Sequence, residues 1–297
     1  MKLKIYQPFF NEDQRSLLDP NFEAIDLRNQ TPEEALLREH TIHLKCYEMA
    51  QKENLDVWGM FSWKWRQKLE AYSGRSPITG KDICDQVLSN PGYDVYFFNS
   101  YSQGLNYAYN VWEHGQWCHP HIIEICEELF PMLGIDYQYL YMPMGLEVFC
   151  FANYYLGNKV FWDDWLDLIL RYREAIPKLS PRLREIHNGS ANYELFPDLW
   201  YFPFIHERLF STLLLKNYDR YSIFSYHYKP VEPHVELLSS ERHKKDSVDI
   251  AACKQYLQQR KFFPHPYKTE YSNVADRWVD EILEPLQKNK EIHATNT

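Results

Sequence analysis

The chain has 297 residues, of which 45% are hydrophobic and 25% charged, as expected of one large domain or a domain with an appendage. Its formal net charge of -9 and the lack of a basic stripe speak against a nucleic-acid partner. Only 10 residues are glycine, and neither G-x-G-x-x-G nor G-x-x-x-x-G-K-[ST] occurs, which speaks against a Rossmann dehydrogenase and a P-loop enzyme.

The six cysteines are scattered and form no C-x-x-C pair, so the sequence indicates neither a zinc knuckle nor a redox dithiol. The N-terminus lacks the apolar core of a signal peptide, and no window approaches the ~18 consecutive apolar residues of a membrane-spanning helix. We therefore expect a cytoplasmic protein with reduced thiols.

The first hundred or so residues alternate between apolar runs and helix-start signals. In chain order, the pattern predicts a strand over 3–6 that ends at Pro8, a turn at Asp19–Asn21, a helix from Thr31 to about Lys52, a strand over 57–61, a helix over 80–88 that begins at Thr79, and a strand over 94–99. This strand–helix–strand order predicts a parallel α/β core.

The second part of the chain is richer in helical patterns. It predicts helices over 103–115 and 120–133, a strongly apolar strand over 146–155, a helix over 159–176, a loop over 188–192, a helix over 204–216 and a last strand over 222–226. After about Pro230 aromatic residues become rare and charge rises. We expect residues 1–230 to form the main domain and 231–297 a C-terminal helical appendage with a flexible tail.

The stretch Val57–Lys68 combines an apolar strand with a basic end. Ser62 follows the strand, and Lys64, Arg66 and Lys68 then alternate along the chain. Cations at the end of a sheet strand suit a phosphate-bearing ligand. Lys64 is the preferred contact, because the short segment after the strand gives its ammonium group a fixed origin. The alternative interpretation is a core strand followed by the solvated start of a basic helix.

Two other strand ends carry polar or aromatic side chains. Tyr6 and Gln7 follow the first strand, where Tyr6 would stack on or hydrogen-bond a base, or would simply place its hydroxyl in water. Asn99 ends the strand over 94–99. These residues are candidates for the same ligand site as Lys64.

The segment Asn110–His121 contains three histidines near Glu113. Zinc ligation is one interpretation, but no H-x-x-x-H or H-E-x-x-H spacing occurs on a helix. Roles for Glu113 and His119 as partners of sugar hydroxyls, or for His119 as a general base, fit the pattern better.

Two later segments offer further candidates. Asn153 is expected at the end of the strand over 146–155, and Glu207-Arg208 opens a helix. A neighbouring Glu–Arg pair is usually a solvated helix face. The aromatic run Leu199–Phe204 before it indicates partial burial and a more specific role for Glu207.

Taken together, these motifs resemble a family of glycosyltransferases encoded among bacterial capsule and O-antigen genes. The similarity covers roughly residues 1–230, in order and approximate spacing. It is carried by Ile5-Tyr6-Gln7, the turn Leu18–Pro20, Gly59-x-x-Ser62-x-Lys64, Asp94-Val95, Asn110, Glu113, Gly115, His119-Pro120, Asn153-Tyr154 and Glu207-Arg208-Leu209. Members of the family commonly have Ser-Pro-Lys where this chain has Ser62-Trp63-Lys64, so the local backbone is expected to differ.

The resemblance implies a GT-A-like fold and transfer of a sugar from a nucleotide sugar to a glycan or lipid-linked acceptor, with peripheral contact to the inner membrane or to polysaccharide-assembly proteins as a further expectation. In this scheme Glu207 or His119 is the catalytic base. The donor-binding residues are Tyr6, Gln7, Ser62, Lys64, Lys68 and Asn99, and the acceptor- or sugar-binding residues are Glu113, Asn153 and Arg208.

Many GT-A enzymes hold Mn²⁺ or Mg²⁺ on an Asp-x-Asp after an apolar strand, but this chain has no such pair there. Asp163-Asp164 are adjacent and fit a helix start better than a metal site. The resemblance leaves Mn²⁺ or Mg²⁺ as candidate cofactors, whereas the sequence gives weight to a metal-independent mechanism. A non-catalytic sugar-nucleotide-binding module and a scaffolding protein are the alternative functions.

Overall fold

The computed structural model describes residues 1–37, 39–68, 78–99, 108, 110–145, 147–191 and 199–227. Six strands form one sheet: β1 Leu3–Phe9, β2 Glu23–Asp26, β3 Val57–Met60, β4 Val95–Asn99, β5 Tyr155–Gly157 and β6 Ile223–His227. The helices are α1 Glu12–Arg15, α2 Pro32–Leu36, α3 Glu39–Glu53, α4 Gly80–Ser89, α5 Val111–Cys118, α6 Ile122–Met132, α7 Lys159–Ala175, α8 Pro181–Asn188 and α9 Phe202–Lys216. Two short 3₁₀ segments, Tyr137–Leu140 and Ile176–Lys178, complete these elements.

The sheet is mixed and mainly parallel, with the strand order β2-β1-β3-β5-β4-β6. β1 is parallel to β2 and β3, and β4 is parallel to β6. β5 lies between β3 and β4 and is antiparallel to both, so β3 and β4 point the same way. β1, β3 and β4 therefore end at one side of the sheet, hereafter the carboxyl edge, and β5 begins there.

Gly59 explains how β5 enters this sheet. A side-chain carbon at Gly59 would collide with the backbone carbonyl of Tyr155. Glycine thus permits the close approach of the two strands. The sequence alone does not explain why a glycine interrupts the apolar run Val57–Met60, whereas its close packing against β5 does.

Aromatic side chains fill the space between the sheet and the helices. Tyr155 stacks on Phe210 of α9 with ring centroids 4.0 Å apart, and Trp58 stacks on Trp162 of α7 at 6.1 Å. The Trp162 indole N–H donates to the Trp58 carbonyl at 3.0 Å. Burial of such large rings stabilises the fold by roughly 25 cal/mol per Å² of apolar surface. Much of the aromatic content of the chain therefore serves the core.

The predicted fold class is confirmed as far as a mixed, mainly parallel sheet flanked by helices. Its GT-A-like character stays a prediction. The predicted helix over 31–52 is divided between α2 and α3. β2, α1 and α8 were not predicted. The C-terminal helical appendage over 231–297 and residues 103–107 of the predicted helix over 103–115 lie outside the described residues. No helix among the described residues is long and apolar enough to cross a membrane.

The prediction that Pro8 ends the first strand is wrong, because β1 continues to Phe9. β3 pairs with residues 3–6 of β1, whereas Pro8 is in register only with Ile25 of β2. At Pro8 the strand has a partner on one side only. A strand tolerates proline, which has no backbone N–H, at such an edge position.

The predicted strand over 146–155 is also wrong. Residues 147–154 form turns and irregular backbone, and only Tyr155–Gly157 is a strand. Side chains from other elements form hydrogen bonds with backbone N–H and C=O groups that would otherwise pair with a neighbouring strand. Asn99 donates to the Phe149 carbonyl at 2.8 Å, the Cys150 N–H donates to Ser211 at 3.0 Å, and the Ala152 N–H donates to Glu207 at 3.0 Å.

Candidate functional site

The Tyr154 hydroxyl marks the centre of the candidate site. Tyr154 immediately precedes β5, and its ring is buried at the carboxyl edge. Its hydroxyl lies 3.3 Å from the hydroxyl of Ser62, which follows β3. The arrangement of strands thus brings together two residues that are far apart in sequence.

Charged side chains influence the same hydroxyl. Burial is the largest influence on Tyr154 and raises its pKa. The positive charge of Lys68 and the hydrogen bond with Ser62 oppose this rise, while the Glu207 and Glu39 carboxylates add to it. Lys68 and the two carboxylates are therefore within electrostatic reach of one hydroxyl group. Glu39, at the start of α3, was not predicted as a site residue.

Lys64 follows Ser62 by two residues in the chain. Its side chain is half-buried, and its ammonium lies 4.8 Å from the centroid of the Trp63 ring. No carboxylate in the described part of the chain pairs with it. Lys68 is exposed, and its backbone N–H donates to the Lys64 carbonyl at 3.1 Å, which gives the segment a helical turn.

Glu207 is half-buried on α9, as its aromatic neighbours indicated. Its Oε1 accepts the Ala152 N–H at 3.0 Å. Ala152 has a φ of 59°, a conformation that non-glycine residues rarely adopt. Within the described residues the second oxygen, Oε2, accepts no hydrogen bond. One carboxylate oxygen therefore fixes the loop before β5, and the other remains for a ligand.

His119 is buried, and its imidazole stacks on Phe204 with centroids 3.7 Å apart. Its Nδ1 is 2.8 Å from the Ala191 carbonyl, so Nδ1 carries the proton and donates it. Burial, assisted by the Arg208 charge, lowers the pKa of His119 to about 4. His119 is neutral at pH 7 and is a weak base there.

Arg208 is buried and ties α9 to α5. Its Nε donates to the Val111 carbonyl and its Nη1 to the Phe204 carbonyl, both at 2.9 Å. A side chain at Gly115 would collide with this guanidinium. Burial lowers the pKa of Arg208, and the neighbouring Glu207 opposes that shift. Only Nη2 is left for a sugar, since it makes no hydrogen bond to a described residue.

Three predicted donor-binding residues are fully buried. Tyr6 is enclosed within β1, which raises the pKa of its hydroxyl and removes the hydroxyl from water. Gln7 accepts the Asp19 N–H at 2.8 Å and donates to the Ser62 carbonyl at 3.3 Å. Asn99 holds the Phe149 carbonyl. Full burial gives them contacts within the protein, and direct contact with a donor stays a prediction.

Asn153 and Glu113 are the remaining predicted sugar-binding residues. Asn153 precedes Tyr154 and is 9% exposed, and its side-chain oxygen has no hydrogen-bond partner in the described ranges. A buried oxygen of this kind usually has a donor, so it suits a ligand hydroxyl. Glu113 is half-buried on α5, whose N-cap is Asn110.

The residues considered for metal ligation have other partners. Asp163 pairs with Lys159, and Asp164 pairs with Arg220 at 2.8 Å. His121 pairs with Glu124 at 3.1 Å on the surface. The described residues contain no group of three or more His, Cys, Asp or Glu that could hold a metal ion. Metal independence stays a prediction.

Asp19 was assigned to a turn, and the structure adds contacts that sequence did not reveal. Its carboxylate is buried and binds Asn21, Gly80 and Arg66. The only signal in the sequence was the Leu18–Pro20 turn among the shared motifs.

No protein-family model and no curated protein matches the chain. Among solved structures, the chain is similar to the apo structure of WbbM, a bifunctional glycosyltransferase, with a TM-score of 0.45 and 13% sequence identity. The alignment covers 76% of this chain and 44% of that chain, so this chain matches less than half of its neighbour's length. At this TM-score the functional assignment rests on the residues of the chain itself.

Proposed function

We propose that the protein is a glycosyltransferase that moves a sugar from a nucleotide sugar to a glycan or lipid-linked acceptor in bacterial surface-polysaccharide synthesis. The observation that carries the proposal is the contact of Ser62 with the Tyr154 hydroxyl at the carboxyl edge, where the charges of Lys68 and Glu207 also act on that hydroxyl. Cations for the diphosphate and a carboxylate for the acceptor hydroxyl are the charges that displacement of a diphosphate requires.

The donor side of the proposed site is cationic. A nucleotide sugar brings two phosphate charges, and the departing nucleoside diphosphate gains another as the glycosidic bond breaks. Lys64 is half-buried and lacks a carboxylate partner among the described residues, so the donor diphosphate is its proposed counter-ion. Lys68 is the second cation, and Ser62 supplies a hydroxyl to the same edge. Hydrogen bonds to such charged groups are each worth roughly 1.5–3 kcal/mol.

Glu207 is the proposed general base. The acceptor hydroxyl gives its proton to Glu207 Oε2 while the acceptor oxygen bonds to the anomeric carbon of the donor. The bond from that carbon to the diphosphate oxygen breaks, and its electron pair leaves with the nucleoside diphosphate. Ala152 holds Oε1 and thereby orients the carboxylate. His119, with a pKa lowered to about 4, is less suited to this step at neutral pH.

The acceptor and sugar hydroxyls have their own proposed partners. Asn153 offers a side-chain oxygen that accepts no hydrogen bond from a described residue, and Arg208 offers Nη2. Glu113 is the third candidate. In this scheme the lysines supply the positive charge, and Mn²⁺ or Mg²⁺ remains an alternative source of it.

A non-catalytic module that binds nucleotide sugars is the second candidate function. It is favoured by the lack of an Asp-x-Asp after β4, where the strand instead ends at the buried Asn99. Such a module would bind the same donor and leave it intact.

A thermal-shift screen against nucleotides and nucleotide sugars, with and without Mn²⁺, tests the proposal. A ligand that binds only the folded state at 100 times its Kd stabilises it by about 2.7 kcal/mol, which corresponds to roughly 5–10 °C in Tm. We expect one nucleotide family to produce this shift, and its diphosphates to exceed its nucleoside. If no member of the screen raises Tm, the protein does not bind a nucleotide donor.

A further inference from the structure

Asp19 carries a buried charge that the proposed reaction does not use. Its side chain is only 1% exposed, and a carboxylate is costly to bury unless hydrogen bonds and an ion pair compensate the lost hydration. Burial is the largest influence on its pKa and raises it, but hydrogen bonds from Asn21, Gly80 and Arg66 outweigh that effect and lower the pKa. Asp19 is therefore ionised at neutral pH.

The partners of Asp19 come from separate segments. Oδ1 accepts from the backbone N–H and the amide of Asn21 at 2.9 and 2.8 Å. Oδ2 accepts the Gly80 N–H at 2.9 Å and pairs with the Arg66 guanidinium. A side chain at Gly80 would collide with the carboxylate, so glycine permits this contact.

Asp19 also reaches the start of the basic segment through Gln7. The Asp19 N–H donates to Gln7 Oε1 at 2.8 Å, and Gln7 Nε2 donates to the Ser62 carbonyl at 3.3 Å. The Trp65 N–H donates to the same carbonyl at 3.0 Å. The segment 62–68 is thus held at Ser62 through Gln7 and at Arg66 directly.

The ion pair changes the charge that this segment presents. Lys64, Arg66 and Lys68 place three like charges within five residues, and like charges repel one another. Asp19 neutralises the middle one, whereas Lys64 pairs with no carboxylate among the described residues. Arg66 remains 43% exposed, so its pairing is not a consequence of its own burial.

We propose that Asp19 is a positioning residue for the binding of a nucleoside diphosphate, because through Arg66 and Gln7 it holds the segment 62–68 in the conformation from which Lys64 meets the phosphates. This inference rests on the proposed function. Asp19 itself touches neither the donor nor the reacting atoms.

The test is a set of calorimetric titrations with the nucleoside diphosphate and the matching nucleoside. The variants are Asp19→Asn, Arg66→Gln, Lys64→Ala and the double variant D19N/K64A. Asp26→Asn is the matched control, because Asp26 also pairs with an arginine, Arg28, but does so on the exposed β2 side. Melting temperatures of all variants are recorded in parallel.

We expect D19N and R66Q each to weaken diphosphate binding about 5- to 20-fold while nucleoside binding changes less than 2-fold, as coupling between contacting groups predicts. In the K64A background, D19N should have little further effect. D26N should bind like the wild type. R66Q leaves Asp19 its bonds to Asn21 and Gly80, so it keeps the proposal testable if D19N does not fold.

Equal losses for diphosphate and nucleoside, or a loss by D19N that persists fully in the K64A background, would overturn the positioning role. Unchanged diphosphate binding in both D19N and R66Q would do the same and leave the proposed function intact. Failure of the wild type to bind any nucleoside diphosphate would overturn both.

Discussion

Three buried histidines make the stability of this protein sensitive to mild acid. His40 and His43 of α3 lie beside His206 of α9, and the His43 and His206 rings stack at 5.3 Å; these three residues form the histidine cluster. Burial lowers the pKa of His40 to about 4 and of His43 to about 3, and lowers that of His206 well below its usual value. The nearby Arg173 charge adds to the shift of His40.

The sign of the effect follows from proton binding. Below a pH of about 6.5 the unfolded chain protonates each histidine, whereas the folded chain keeps it neutral down to its lowered pKa. The three histidines therefore do not reduce the free energy of unfolding above pH 6.5, and they reduce it progressively as the pH falls below that value. Each histidine lowers the free energy of unfolding by about 1.36 kcal/mol per pH unit in this range. Between pH 6.5 and 5 the three together lower it by roughly 6 kcal/mol. That is comparable with the ~5–15 kcal/mol of a typical domain.

Urea unfolding at half-unit steps from pH 7 to 5, followed by tryptophan fluorescence, measures this loss. The variant His40→Phe should reduce the slope by about 1.4 kcal/mol per pH unit, because it removes one titrating ring. Neither nitrogen of His40 has a hydrogen-bond partner in the described residues, so phenylalanine gives up no such bond. The exposed His121, replaced by Gln, is the control and should leave the slope nearly unchanged. A free energy of unfolding that is constant from pH 7 to 5 would refute the reasoning.

Three further predictions concern the site. Lys64→Ala should weaken binding of nucleoside diphosphates far more than of nucleosides, by about 10- to 150-fold for a lost charged hydrogen bond, and equal losses in calorimetry would place Lys64 outside the phosphate site. Glu207→Gln keeps an acceptor for the Ala152 N–H and should cost about 10²–10⁴-fold in turnover with donor binding nearly intact; a lower Tm with normal turnover would make Glu207 structural. EDTA should leave turnover unchanged if the lysines supply the positive charge, and loss of activity that Mn²⁺ restores would show that a metal does so.

Local signals predicted several elements closely. Thr79 was expected to begin a helix, and it forms a capping box with Asp82 at the start of α4. The apolar run at Val57 gave β3 to within one residue, because a buried strand bounded by polar residues needs no distant information.

Features that depend on distant contacts could not be found in this way. The sequence over 147–154 is as apolar as that of a strand. Its backbone is instead hydrogen-bonded by the side chains of Asn99, Glu207 and Ser211, which belong to other elements. The meeting of Ser62 with Tyr154 depends on the insertion of β5 between β3 and β4, which no local pattern indicates. The role of Asp19 likewise depends on Arg66 and Gly80, each more than forty positions away.

Release of nucleoside diphosphate from nucleotide sugars is the most direct test of the proposed transfer reaction. The donor that raises Tm is incubated with the wild type, with Lys64→Ala and with Glu207→Gln, and the products are separated by liquid chromatography and mass spectrometry. The account predicts that the wild type releases nucleoside diphosphate above the spontaneous rate, by slow transfer to water and faster with an acceptor, and that both variants lose this release. A donor that binds to the wild type and stays intact with every acceptor would contradict the account and identify a binding module.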